Sequence, residues 1–303
     1  MSMFKNATAL RINLKQLDLF TLEDKLSAMS FEACGASQEK SVGFVPPRGQ
    51  MHGAYLESVA GQYIARLMIE SKSVPGAVVA ERVSAEVAKI EASTGRKPGK
   101  KERREIAEDV RLGLLPIAFP KRVAVTIWFD MRSGLLWLDS VSQSRIDDVT
   151  SMLVKVVDDL QISYVNTEQS PAALMTAWLA HGDELSSEDR SWFDIDRACE
   201  LIACDESKAV VRYKKHALDT DEIRAHIKQG KVARSLALTW NDRVSFTLAD
   251  TGAIRSIAFL DVVFEGEGEG NDDLFDTEVA IVTTELRALH ADLLEALGGE
   301  VTA

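Results

Sequence analysis

Six cations crowd positions 96 to 104: Arg96, Lys97, Lys100, Lys101, Arg103 and Arg104, broken by one acid, Glu102. Lysine and arginine at this density suit a polyanion, because each phosphate they neutralise releases counterions. Lys100 to Arg104 also fall at an expected helix start, where the dipole disfavours cations, so local helix stability does not account for them. The run continues to Arg111, Lys121 and Arg122. From Arg96 to Arg122 there are nine basic and four acidic residues, a balance of +5 that leaves −17 elsewhere in a chain of formal charge −12. The net charge alone argues against nucleic acid; its segregation argues for a local anion-binding face. A second cluster is Arg212, Lys214, Lys215, Arg224, Lys228 and Lys231, with Arg224 and Lys228 at helical spacing. A solvated helix face is the plain alternative for either cluster taken alone.

Catalytic patterns are scarce. The histidines His52, His181, His216, His226 and His290 show no metal-ligand spacing. There is no His-Glu-x-x-His, phosphate-binding loop, Gly-x-Ser-x-Gly elbow or Gly-x-Gly-x-x-Gly. Asp194 and Asp196 form an Asp-x-Asp pair that would hold magnesium in a nuclease; the plainer reading is helix-capping carboxylates before Arg197. Cys34, Cys199 and Cys204 make an odd number with no Cys-x-x-Cys pair, which points to reduced thiols. No metal, cofactor or catalytic activity is expected. Glu265 to Asp273, acid- and glycine-rich, reads as a solvated loop.

The elements that must carry these residues follow from periodicity. Ala7–Leu14, Gln62–Ile69, Val123–Phe129, Leu135–Val141 and Ala209–Lys214 read as strands. Ala77–Ser93 and Lys100–Leu115, split by Gly95, Pro98 and Gly99, read as a helical hairpin inserted between strands. Further helices are expected after Thr21, after Ser144 with the stripe Ile146, Val149, Leu153, Val156, Leu160, and over Asp219–Gln229. Leu236–Leu248 and Ala253–Leu260 read as a hairpin around Asp250-Thr251-Gly252. Val279–Thr283 reads as a last strand before a terminal helix striped by Leu286, Leu289, Leu293 and Leu297. Strands joined by tight turns with appended helices predict an α+β fold with mixed or antiparallel sheets.

The chain has 303 residues, 46% hydrophobic and 27% charged, the balance of a globular protein. Neither a signal-peptide pattern nor a membrane-length apolar run is present, so a cytoplasmic protein with no membrane partner is expected.

Several short motifs occur in a characteristic order: Phe4-Lys5-Asn6; Phe31 with Cys34-Gly35 and then Gly43-Phe44-Val45-Pro46-Pro47; Leu115-Pro116-Ile117-Ala118-Phe119; Gly230-Lys231 with Leu236-Ala237-Leu238, Trp240, Arg243 and Phe246; and Glu295-Ala296-Leu297-Gly298-Gly299-Glu300. Together they resemble the RdgC family of recombination-associated proteins across nearly the whole chain. The resemblance implies a ring-shaped homodimer around a basic hole, binding single- and double-stranded DNA with little sequence preference. It implies functional competition with the RecA recombinase, association with the nucleoid, and no catalysis. Under it, residues 1–76 and 116–165 form a central domain, 77–115 an inserted helical tip, and 166–303 a base. Phe119 matches an interface aromatic (a core phenylalanine is the alternative), and Lys215 and His216 fall at the second interface. His216 departs from the amide expected there, and Pro98 and Gly99 depart in the tip. Two other readings stand beside this one: a metal-dependent nuclease built on Asp194 and Asp196, and a protein-interaction module whose basic hairpin docks on an acidic partner.

Overall fold

The computed structural model describes residues 3–13, 18–50, 52–181, 192–264 and 274–301. In chain order the elements are β1 (Thr8–Ile12), α1 (Leu19–Ala28), β2 (Lys40–Val45), β3 (Leu56–Val59), β4 (Gln62–Lys72), α2 (Gly76–Thr94), α3 (Lys100–Leu114), β5 (Pro120–Asp130), β6 (Leu135–Leu138), α4 (Gln143–Val156), β7 (Ile162–Tyr164), α5 (Pro171–His181), β8 (Phe193–Ala203), β9 (Val210–Lys214), α6 (Asp221–Lys228), β10 (Lys231–Trp240), β11 (Val244–Ala249), β12 (Ile254–Phe259) and α7 (Leu274–Ala296). The fold is α+β, as its sequence predicts. β1 to β7 make one sheet in the order β2-β4-β5-β6-β1-β7, with β3 on β4; β8 to β12 make another, in the order β12-β11-β10-β8-β9. Every ladder is antiparallel, so the mixed-sheet option falls away.

Two cores follow from the alternation of these strands. Leu67, Ile69, Val125, Ile127, Leu136 and Leu138 share one core with Leu22 and Leu26 of α1 and Ile146, Val149 and Leu153 of α4. Ile64, Trp128 and Trp137 join instead the core that holds the second sheet, α5 and α7. The sheets are tied by an Ala7–Ile254 bridge and by Arg287 of α7, which grips the fully buried Asp130 at 2.9 and 3.0 Å. Gly43 shows why one motif needs glycine. β2 runs so close to the Ser30-Phe31 backbone that a Cβ at 43 would meet the Phe31 Cα at 2.4 Å.

Several expectations are corrected. Val279–Thr283 is helix, not strand: Val279, Val282, Leu286 and Leu289 continue one buried stripe, and that packing overrides the β-branched preference. Leu236–Leu248 is two strands, broken where Asn241 and Asp242 both take φ of +53° and Arg243 N–H donates to Trp240 O, the geometry of a tight hairpin turn. The caps shift by a few residues: Asp18, Ser142 and Thr220 precede α1, α4 and α6 in place of Thr21, Ser144 and Asp219. β2, β3, β7, β8 and α5 are not anticipated from sequence periodicity. The acid-rich segment 265–273 lies outside the described residues.

Candidate nucleic-acid interface

α2 ends at Gly95 in the left-handed region, with φ of +70°, and Pro98 is buried in the turn before α3. Nineteen helical residues make α2 about 28 Å long at 1.5 Å per residue, so Arg96 to Arg104 sit at the far end of a long projection. Gly99 caps α3 without a side chain, leaving its first N–H groups to point out among Lys100, Lys101 and Arg103. Arg96 binds Glu102 through both arms, at 2.9 and 3.2 Å, and Lys101 stands 4.0 Å from Glu105. Lys97, Lys100, Arg103 and Arg104 have no carboxylate partner among the described residues. Cations at a helix N-terminus raise one another's need for a counter-charge, and an external anion supplies it best.

Lys121 and Arg122 lie at the other end of the hairpin, on β5, so the basic run of the sequence is two places in space. Lys121 is exposed. Arg122 is exposed too but already paired: it binds the buried Glu70 at 2.6 Å and lies 5.5 Å over the Phe31 ring. The Arg122 hydrogen bond, seconded by the Cys34 N–H, holds the Glu70 carboxyl below its usual range. Strand register adds two lysines that sequence reasoning missed, for Lys40 and Lys121 both face Ser71, and Lys72 faces Pro120. Nothing in the sequence links Lys40 and Lys72 to this end of the sheet; only the pairing does. Lys40 contacts Asp148 at 2.5 Å and Lys72 donates to Gly35 O. Beside them Phe119 is 92% exposed and Ile117 70%, which removes the core reading of Phe119 and leaves an apolar knob at the hairpin base.

The second cluster is spread over β9 and its end, α6 and the start of β10, and is partly neutralised. Arg212 and Arg234 share Glu200, at 2.5 and 3.2 Å, and Arg224 binds Asp219 and Asp221, at 2.5 and 3.1 Å. Lys231 Nζ lies 3.1 Å from His226 Nδ1. Burial and a hydrogen bond to Glu222 push the Tyr213 hydroxyl up to about 12. Lys214, Lys215 and Lys228 are exposed without a carboxylate partner among the described residues. Lys215 adopts a left-handed φ of +55° at the end of β9, and the exposed His216 ring packs 5.5 Å from Tyr213.

Asp194 and Asp196 cap no helix. They alternate on β8, where Asp196 accepts from Thr239 Oγ1 at 3.0 Å. Among the described residues no three His, Cys, Asp or Glu side chains gather as a metal site would require, and no helix is long and apolar enough to cross a membrane.

Known proteins share this chain's pattern from end to end. A family model described as "Putative exonuclease, RdgC" matches residues 2–300. A Dechloromonas aromatica protein named "Recombination-associated protein RdgC" is 37% identical over 305 residues, covering 98% of each chain. The protein of that name from Bordetella pertussis is 36% identical over 301 residues, again 98% of each chain, and that from Cupriavidus pinatubonensis 38% over 282 residues, 92% of each.

Proposed function

The chain belongs to the RdgC family, and from that premise we propose that it is a non-enzymatic DNA-binding protein of recombination that encircles DNA as a homodimeric ring and limits access of the RecA recombinase. The observation that carries the DNA contact is the unpaired quartet Lys97, Lys100, Arg103 and Arg104 at the end of a projecting hairpin in a chain of net charge −12. A phosphate backbone satisfies such a quartet without reading bases, so affinity is insensitive to sequence and steep in salt. In this reading residues 1–76 and 116–165 form the ring's centre, 77–115 the tip and 166–303 the base. Phe119 at one contact, and Lys215 and His216 at the other, supply the two interfaces that closure by a two-fold axis needs. Lys121, Lys214, Lys215 and Lys228 add cations to the lumen, whereas Arg122, Arg212 and Arg224 serve the fold first.

The test replaces Lys100, Lys101, Arg103 and Arg104 with alanine and measures duplex affinity across a salt series. The expected result is weaker binding, with a salt slope shallower by roughly 0.9 for each phosphate no longer neutralised. An unaltered slope would remove the tip from the interface. The family description keeps a nuclease reading in view, with Asp194 and Asp196 as its carboxylates. Incubating end-labelled DNA with magnesium decides it, since degradation abolished in Asp194→Asn would establish catalysis and intact DNA would exclude it under those conditions.

A further inference from the structure

Where the two sheets meet, a cleft of about 770 Å³ opens between β1, the 164–171 connection, the β11–β12 turn and the C-terminal half of α7. That volume suits a small organic molecule. Its walls are mixed: Ala9, Ile146, Leu293, Leu294 and Leu297 give it an apolar side, and Thr8, Gln143, Asn166 and Thr167 a polar one. One polar wall residue is buried in the α7 stripe. His290 is only 9% exposed, packs its ring edge 5.0 Å from Trp137, and has no hydrogen-bond partner for its imidazole among the described residues. Directly behind it the buried Trp137 Nε1 is also unpartnered. A buried polar group is ordinarily satisfied, and a leucine at 290 would fill the same helix stripe without the penalty. Burial, aided by the Arg11 charge, pushes the imidazole down to about 4. At neutral pH it is therefore uncharged, with one nitrogen to donate and one to accept.

The mouth supplies the second group. Arg255 is exposed and has no carboxylate partner among the described residues, whereas Arg11 and Arg287, near His290, are bound to Glu300 and Asp130. Among the described lining residues Arg255 is the single fixed cation and Asp250 the single carboxylate. One exposed cation without a carboxylate partner suits a single negative charge and is too little to hold a polyphosphate or a nucleic-acid strand.

We propose that this cleft is a binding site for an amphipathic organic monocarboxylate: its carboxylate meets Arg255, its apolar body lies on the α7 leucines, and a second polar group hydrogen-bonds His290. The proposal is independent of the DNA reading, since none of the proposed DNA contacts lines the cleft.

The test titrates 3-(4-hydroxyphenyl)propionate into the full-length protein carrying 13C-labelled histidine. The His290 imidazole signal is identified by its nuclear Overhauser contact with Trp137. The expected result is a saturable shift of that signal while those of His52, His181, His216 and His226 stay in place. The neutral amide of the same acid, and 3-phenylpropionate, which lacks the hydroxyl, are each expected to bind more weakly. Arg255→Gln, at an exposed position that the fold does not need, is expected to weaken the acid about tenfold and leave the amide unchanged. Absence of a saturable His290 shift would overturn the site. Equal affinity for acid and amide, or an Arg255→Gln variant that binds the acid as well as the parent, would overturn the assigned ligand class.

Discussion

Acid reaches the joint between the sheets through two side chains that titrate in different ranges. His290 is neutral in the folded protein because burial, then the Arg11 charge, lowers its pKa from 6.5 to about 4. The unfolded chain therefore takes up a proton near pH 6.5 that the folded chain refuses until about pH 4. Its contribution to stability is complete above the unfolded value and falls by about 1.4 kcal/mol per pH unit through the window, reaching roughly 3 kcal/mol in all. Asp130 answers later. Burial opposes its charged form, but the Arg287 guanidinium and the Ser133 donors outweigh burial and hold its carboxyl below the usual range. Its stabilisation is present above the ordinary aspartate pKa and disappears only as pH falls past that depressed value. Urea midpoints between pH 7 and pH 4 are therefore expected to fall less steeply in His290→Gln than in the parent. Parallel curves would mean that His290 does not titrate as its surroundings dictate.

The elements differ widely in how firmly they are held. β4 and β5 pair over ten residues from Tyr63–Phe129 to Lys72–Pro120 and bury Ile64, Leu67, Val125 and Ile127. α2 and α3 rise from the same two strands, yet each has a single buried side chain, Val87 and Leu114 respectively. A two-helix unit with so little interior opens locally, without global unfolding. Amide exchange followed by mass spectrometry is expected to be at least about 100-fold faster in 80–110 than in the β4–β5 ladder. Equal protection would mean that something beyond its own contacts holds the hairpin. The same contrast explains what the sequence reveals. α4 and the hairpin are legible because each has a solvent side, and a stripe needs a polar side to stand against. α5 is apolar on most of its surface, and burying Leu174, Met175, Trp178 and Leu179 leaves no such contrast. β8 hides for the opposite reason, since Asp194, Asp196 and Arg197 near its start resemble caps. The cations are legible as residue types, but their availability is not. Glu200, Asp219 and Asp221 quiet Arg212 and Arg224 through contacts that only the folded chain makes.

At the scale of the molecule the difficulty of the proposed function is electrostatic: it asks a chain of net charge −12 to hold a polyanion. Long-range repulsion slows approach, and a few unpaired cations give contacts that physiological salt largely screens. A closed ring removes the difficulty by separating retention from affinity. Once the duplex is enclosed, escape requires a free end or an open interface, whatever the strength of each phosphate contact. The two routes to binding thus differ in what salt does to them. If the proposed ring forms, rising salt weakens the contacts on linear DNA and the protein slides off the ends, whereas on a closed circle the enclosed dimer stays. The expected outcome is a homodimer by mass that survives high salt on a closed circular duplex and is released when the same duplex is linearised. Phe119→Glu places a charge in the exposed apolar knob at the hairpin base and is expected to abolish that difference by opening the interface. The tip cations are untouched by this change, so the variant keeps its salt-dependent affinity for linear DNA. Equal salt sensitivity of the parent on both forms would reduce the interface to a basic surface patch. A Phe119→Glu protein that still distinguishes circle from line would place the closing contact elsewhere.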